Sequence, residues 1–402
     1  MSDLLSRMRG IEDADVAGKR VLVRADLNVP MKDGQVTDTT RLDRVVPTIR
    51  SLSERGAKVV IITHFGRPGG EKVPEMTLAP VAARLGGLLG KPVRFVADCI
   101  GPVAAEGVNA MSDGDVAMLE NLRFYPGETK NDPEFVKQLA ENGDVFVSDA
   151  FSTSHRAHAS TEGLGHHMPP FAGPLMMAEI TALASSLDNP QRPVAAIVGG
   201  AKVSTKITVL TNLTKKVDVL IIGGGMANTF LYAQGKAVGK SLCEPDFKET
   251  ALEILTAAEA SGCKIMLPDD VVVADEFKAN AANQVVPADA VPESSMILDA
   301  GPESVKALEA ELENCRTLIW NGPLGAFEME PFGRATFALA AKAAELTKAG
   351  KLITVGGGGD TVAALNIAGV SDDFTYISTA GGAFLEWMEG KELPGVMVLA
   401  QY

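Results

Sequence analysis

The chain has 402 residues, 46% hydrophobic and 22% charged, with a formal net charge of -14 at pH 7. That length exceeds what one hydrophobic core fills, so two domains are expected, and the composition excludes long disordered tracts. The negative balance argues against a nucleic acid or an anionic membrane as partner.

In chain order, short β-branched runs alternate with helical patterns. The predicted strands of the first half are Val21-Leu22-Val23, Val59–Ile62, Val116–Leu119 and Val145–Val147. Pro169-Pro170 and Pro174 then precede a helical stretch from Leu175 to Leu187, which Asp188-Asn189-Pro190 and Pro193 end. The predicted strands of the second half are Ala195–Val198, Val219–Ile222, Leu318-Ile319-Trp320, Leu352–Val355 and Tyr376–Ser378. Continuous apolar strands are buried on both faces, which points to parallel sheets covered by helices. The expectation is therefore an α/β protein of two domains, with a connecting helix that can act as a stiff spacer or a hinge.

Charge divides unevenly between the halves. Residues 1–187 carry 20 Lys+Arg against 24 Asp+Glu, and residues 188–402 carry 17 against 27, together the 37 and 51 of the whole chain. Thirteen of 16 arginines and all five histidines lie in the first half. Arginine grips carboxylates and phosphates in bidentate fashion, so the first half is the better candidate for an anionic substrate; scattered surface arginine is the plain alternative. Cys99, Cys243, Cys263 and Cys315 form no C-x-x-C pair and no zinc spacing, which fits a reducing cytoplasm. The start MSDLLSRMRG has no signal-peptide core, and no apolar run reaches the roughly 18 residues of a membrane span.

Ligands of open parallel sheets bind beyond the carboxyl ends of the strands. In the first half those ends read Arg24–Asn28, Thr63–Arg67, Glu120–Arg123 and Ser148–Phe151; in the second they are mainly glycines. Gly223-Gly224-Gly225, Gly356–Gly359 and Gly381-Gly382 each lead from a strand into a helix, either as plain turns or as phosphate-binding helix starts. No G-x-G-x-x-G fits, and Gly239-Lys240-Ser241 misses a Walker A loop because Gln234 holds the first glycine position. Lys202 and Lys206, four apart after Gly199-Gly200, are predicted to share a helix face, holding an anion or facing solvent. Asp360 is either a helix N-cap or a Mg²⁺ ligand, and Glu328 is ambiguous in the same way. His155 and His158 lack a third metal ligand at diagnostic spacing, so they point to an anion pocket or a cap.

Val21–Pro30 resembles the signature of the phosphoglycerate kinase family. His64–Pro68, Glu120–Phe124, Asp149–Ser160, Gly199–Lys206, Ile222–Asn228, Trp320–Glu328, Gly357–Thr361 and Ser378–Ala383 resemble the family's further motifs, in order and over nearly the whole chain. The resemblance implies two Rossmann-like domains joined by a hinge helix. Residues 1–174 would form the N-terminal 3-phosphoglycerate domain, 175–192 the linker and 193–388 the C-terminal nucleotide domain, with the tail from about 389 to 402 packing back on the first. It implies a cytoplasmic, monomeric enzyme of glycolysis moving a phosphoryl group between 1,3-bisphosphoglycerate and ADP by in-line transfer on hinge closure, with Mg²⁺ as cofactor. The acid substrate would meet Asp26, Leu27, Asn28, Arg41, His64, Phe65, Gly66, Arg67, Arg123 and Arg156. The nucleotide would meet Lys206, Glu328, Gly358, Gly359, Asp360 and Thr361, with Asp360 on the metal. Arg41 and Lys202 would stabilise the phosphoryl group in flight. Phe65, Ser152, Ser154 and Ala380 depart from the family pattern, where Leu, Gly, Ala and Gly are usual. The rival readings are an acyl-phosphate kinase for another acid and a non-catalytic nucleotide-binding protein.

Overall fold

The computed structural model describes residues 2–401, and the chain forms two compact units. The first runs to Thr181 and takes back the segment from Glu392 onward; the second is Ala182–Lys391.

The first unit is built on six parallel strands in the order Val93–Val96, Val116–Leu119, Lys58–Ile62, Arg20–Arg24, Val145–Ser148 and Pro170–Ala172. Val21 pairs with Val59 on one side and with Val145 on the other, which sets the register of the centre. Alternate residues supply two cores. Val21, Val23, Val59 and Ile61 pack with Val45, Ile49, Leu52 and Leu85, while Leu22, Val60 and Ile62 pack with Leu139 and Phe146. Helix Thr40–Glu54 buries Leu42, Val45, Val46, Ile49 and Leu52 along one face, the period of an amphipathic helix. The two strands absent from the sequence reading are the sheet's edges. Val93–Val96 carries an exposed Arg94 instead of an apolar run, and Pro170 is tolerated because an edge strand needs no donor on its open side.

The end of the chain belongs to this unit. The Gly395 N–H donates to the Ser154 carbonyl at 2.9 Å, and a Cβ on Gly165 would lie 2.6 Å from Val398 Cγ2. The stretch expected as one helix from Leu175 to Leu187 is an α-helix over Pro174–Leu183 that continues as a π-turn over Ala184–Asp188. Asp149 fixes its start: Oδ1 accepts the N–H groups of Leu175 and Met176 at 2.8 and 3.2 Å, and Oδ2 accepts the Thr48 hydroxyl at 2.6 Å.

The second unit has six parallel strands in the order Lys264–Met266, Val219–Ile222, Val194–Val198, Thr317–Asn321, Ile353–Gly357 and Tyr376–Ser378. Counted along the chain this is the doubly wound order, with its switch point between Val194–Val198 and Thr317–Asn321. A three-stranded antiparallel sheet, Asn283–Pro287, Asp270–Ala274 and Met296–Ala300, was not expected. Its central strand does carry an apolar run, Val271-Val272-Val273-Ala274, which the sequence reading passed over; Val271 and Val273 pack in one cluster and Ala274 and Leu298 in another, while Asn283–Pro287 is mostly exposed. Among the described residues no helix is long and apolar enough to cross a membrane.

Candidate active site

In the first unit the residues after the strand ends form one hydrogen-bonded constellation. Arg24, at the end of its strand, is fully buried. Its Nε donates to Ser160 Oγ at 2.9 Å, one terminal nitrogen to the Ala25 carbonyl and the other to His64 Nδ1 at 2.9 Å. A guanidinium cannot accept, so His64 must offer Nδ1 as an acceptor and carry its proton on Nε2. Burial, then the positive charges of Arg24 and Arg123, push the His64 pKa down to about 2. The ring is a neutral donor at physiological pH. Ser160 in turn donates to Glu128 Oε1 at 2.6 Å, so a buried carboxyl balances the buried guanidinium through one hydroxyl.

Asp26 receives Arg41 at 2.6 Å and the Ser152 hydroxyl at 2.5 Å. Burial raises its pKa, but Arg41, His64, Ser152 and Arg24 together outweigh that and hold the carboxyl below its ordinary value. Asn28 Oδ1 accepts the Gly66 N–H at 3.0 Å, and Arg123 donates to the Gly66 carbonyl at 2.8 Å. Asn121 binds both polar atoms of the Phe65 backbone, at 3.1 and 2.8 Å. The His64–Arg67 loop is thereby fixed on both sides. Gly66 sits at φ +60, where a side chain is strained and would meet Met76 Sδ at 2.9 Å.

Arg67 and Arg156 are exposed, and their charges, with that of Arg24, push the Arg123 pKa down beyond the first effect of its burial. Arg123 Nε is buried without a hydrogen-bond partner. A guanidinium depressed by neighbouring cations and a buried donor left over suit an anion. Leu27 departs from the expected set: its side chain is in the core, and only its N–H reaches the area, on Thr63 Oγ1 at 3.1 Å. Phe65 is half-buried against the core, so its contribution is also backbone.

The second site lies at the switch point. Lys206 Nζ donates to the Gly199 carbonyl and to Asn321 Oδ1, both at 2.6 Å. Asn321 Nδ2 continues to the Gly357 carbonyl at 2.8 Å, and Thr361 Oγ1 accepts the Gly322 N–H at 2.7 Å. Burial lowers the Lys206 pKa to about 8, against a raising effect of Asp360. Gly358, at φ +96, leads into helix Gly359–Ile367, and a Cβ there would meet Asn321 Nδ2 at 2.6 Å. Asp360 lies in the first turn, exposed, and does not cap it; Gly358 holds the cap position. This carboxylate makes no hydrogen bond or ion pair among the described residues.

The helix face expected for Lys202 and Lys206 does not form. Lys202 is extended, Val203–Thr205 is a single 3-10 turn, and the α-helix begins at Ile207. Lys206 is drawn back to strand-end carbonyls, and Ser204 gives its N–H and hydroxyl to Glu244 at 3.0 and 2.6 Å. Those bonds hold the segment out of a regular helix. Lys202 is exposed near Glu244, whose carboxyl its charge helps to lower. Glu328 is exposed in the loop after Thr317–Asn321, with no hydrogen bond to the Lys206–Asn321 group among the described residues. Ala380 adopts φ -98, so its place before helix Gly381–Met388 needs no glycine. His158 is buried at the cap position of the turn Ala159–Gly163, its pKa pushed to about 4 by burial and then by Arg123.

Sequence reasoning passed over Arg24, Asn121, Ser152 and Asn321 as site residues. Arg24 and Asn321 end a parallel strand and Asn121 lies two residues past one, and that position was the available signal. Ser152 lies four residues past one.

One α/β unit ending in arginines and another ending in glycine loops and a half-buried lysine suit a phosphotransferase that handles anionic ligands. The phosphoglycerate kinase family model matches residues 11–391. A phosphoglycerate kinase of Methylobacterium radiotolerans is 61% identical over 98% of this chain and 99% of its own length. One from Rhizobium meliloti is 64% identical over 96% of this chain and 97% of its own. Among solved structures, phosphoglycerate kinase from Coxiella burnetii superposes with a TM-score of 0.92 at 43% identity, covering 98% of this chain and 99% of that one. The enzyme from Pyrococcus horikoshii gives 0.80 at 33% identity, covering 98% of each. The chain belongs to the phosphoglycerate kinase family.

Proposed function

We infer that this chain catalyses the glycolytic transfer of a phosphoryl group between 1,3-bisphosphoglycerate and ADP, giving 3-phosphoglycerate and ATP. The acid is assigned to the first unit and the nucleotide to the second. The observation that carries this assignment is the supply of cations: Arg24, Arg41, Arg67, Arg123 and Arg156 act on one another or on shared neighbours in the first unit. The second unit supplies glycine-lined backbone and a half-buried lysine instead.

The chemistry needs no general base, because the substrate carboxylate is already ionised at neutral pH. The barrier lies in assembling anions and in stabilising charge on a phosphoryl group in flight. Preorganised cations supply both. Asp26 and Asn28 orient Arg41 and the Gly66 loop. His64, held neutral by burial and by Arg24, donates from Nε2. Lys206 and the Gly358–Thr361 turn receive phosphates, with Glu328 completing the nucleotide contacts, and Arg41 and Lys202 serve the transferring group. Asp360, an unpaired carboxylate at a helix start, fits Mg²⁺, which takes one or two carboxylates alongside phosphate oxygens and would neutralise phosphate charge. An acid-binding unit and a nucleotide-binding unit must bring reacting atoms to about 3–3.5 Å, so a hinge involving the helix from Pro174 closes on the ternary complex. We assign a monomer working in the cytoplasm.

A coupled assay of ATP formation with a panel of acyl phosphates tests the reading. Turnover should be confined to 1,3-bisphosphoglycerate; equal use of acetyl phosphate would favour a kinase for another acid, and no turnover a binding protein. Small-angle scattering tests closure: the radius of gyration should fall most with Mg-nucleotide and 3-phosphoglycerate together.

A further inference from the structure

Ser152 lies outside the residues assigned above, yet its hydroxyl donates to Asp26 Oδ2 at 2.5 Å, the oxygen that also receives Arg41 at 2.6 Å. It sits in the turn Phe151–Thr153, which the Thr153 and Ser154 N–H groups tie to the Ala150 and Phe151 carbonyls at 3.1 and 2.9 Å. The hydroxyl is therefore held on a fixed piece of backbone. The Asp26 side chain is only 15% exposed, whereas that of Arg41 is 41% exposed at the edge of the site.

Four groups face the Asp26 carboxylate: Arg41 from helix Thr40–Glu54, His64 beyond strand Lys58–Ile62, Ser152 from its turn, and Arg24 from its own strand. Two of them are already committed. Arg24 spends its donors on Ser160, Ala25 and His64, and His64 spends Nδ1 on Arg24. Direct side-chain donors to Asp26 are thus Arg41 and Ser152 alone among the described residues. The proposed reaction needs Arg41 on the transferring group. If Arg41 turns away, an enclosed carboxylate oxygen loses its cation, and a carboxylate stripped of its partners is costly. A hydroxyl already seated on that oxygen reduces the penalty.

We propose that Ser152 is a positioning residue, which keeps the Asp26 carboxylate partnered so that Arg41 can leave it for the phosphoryl group. The inference rests on the assignment of Arg41 to that group. The Asn28 N–H serves Oδ1 at 3.3 Å, so without the hydroxyl Asp26 Oδ2 depends on Arg41 alone and withholds it from the substrate. The lost bond also favoured the charged carboxylate, so its titration moves to higher pH.

Steady-state kinetics across pH test this with Ser152→Ala, Ser152→Thr, Arg41→Ala and the Ser152→Ala/Arg41→Ala double variant. Ser152→Ala should lower kcat about tenfold, the scale of one hydrogen bond to a charged group, with KM for either substrate within about twofold. Its acid limb should move to higher pH, and Ser152→Thr, which keeps the hydroxyl, should restore both. In the Arg41→Ala background the same change should cost little more, because its effect passes through Arg41. Unchanged kcat and acid limb in Ser152→Ala, beside a crippled Arg41→Ala, overturn the role of Ser152. A penalty of full size in the Arg41→Ala background overturns it as well. Near-normal turnover of Arg41→Ala instead overturns the assignment on which the inference stands.

Discussion

Beyond the strand ends of the first sheet, charge comes from long side chains held in place by a buried polar network; beyond those of the second, it comes from backbone and two lysines. Arg24, Ser160 and Glu128 form the network in the first unit, with His64 and Asp26 carrying its influence to exposed Arg41. In the second unit Asn321 alone links Lys206 to the Gly357 carbonyl, and glycines bring backbone to backbone. A Cβ on Gly199 would lie 1.9 Å from the Pro323 carbonyl oxygen, so close approach of two loops excludes any side chain there. The difference follows from the ligands proposed. A small acid with charges at both ends is recognised by forks aimed at each end. A chain of phosphates is met by a row of N–H groups and a point charge.

The contrast is easiest to break at Arg41. Arg41→Ala should lower kcat by about 10²–10³, the value of one preorganised donor, and keep the fold, since the side chain is exposed. Turnover near that of the parent protein would remove Arg41 from the transferring site.

The two lysines should separate by kinetic parameter. Lys202→Ala should lose roughly tenfold to a hundredfold, mainly in kcat, because its proposed target is the group in flight. Lys206→Ala should raise the nucleotide KM by roughly tenfold with a smaller change in kcat, because it meets ground-state phosphates. If both variants raise KM alone, the division of labour between them is wrong.

A backbone site should be sensitive where a side-chain site is not. Gly358→Ala places a Cβ at φ +96 and 2.6 Å from Asn321 Nδ2. The strain is worth about 1–3 kcal/mol, which should lower the melting temperature by several degrees and weaken nucleotide binding, leaving affinity for 3-phosphoglycerate unchanged. Calorimetry with each ligand checks this; equal weakening of both would deny the separation of the sites.

The smallest expected effect is a pH dependence. The free protein holds Lys206 near pKa 8, lowered by burial, and phosphate oxygens favour the charged ammonium. Binding therefore takes up a proton when Lys206 is neutral, so nucleotide affinity should fall as pH rises through about 8, by up to about tenfold per unit. Titration calorimetry in buffers of different ionisation enthalpy should show that uptake. Its persistence in Lys206→Met would assign it to another group.

The class of fold, most of the parallel strands and the family were legible in the sequence, because strands buried on both faces write themselves as apolar runs, and strand-end motifs stand at fixed places in the chain. Val21-Leu22-Val23 and Val219–Ile222 needed no structure to be found. Edge strands such as Val93–Val96 did, since a half-exposed strand carries no such run, and the antiparallel sheet did although Val271–Val273 is one, because a run does not state its partner or its direction. What only the tertiary structure decided is which polar groups meet. Arg24 and Glu128 are 104 positions apart, and Ser152 and Asp26 are 126, and only sheet order brings each pair together. Lys202 and Lys206 looked like one helix face because spacing describes a regular helix, whereas Lys206 turns to the Gly199 carbonyl and to the Asn321 side chain that the second sheet presents 115 residues away. Side-chain type and local period are properties of the chain; the partner of a buried charge is a property of the packing that desolvates it.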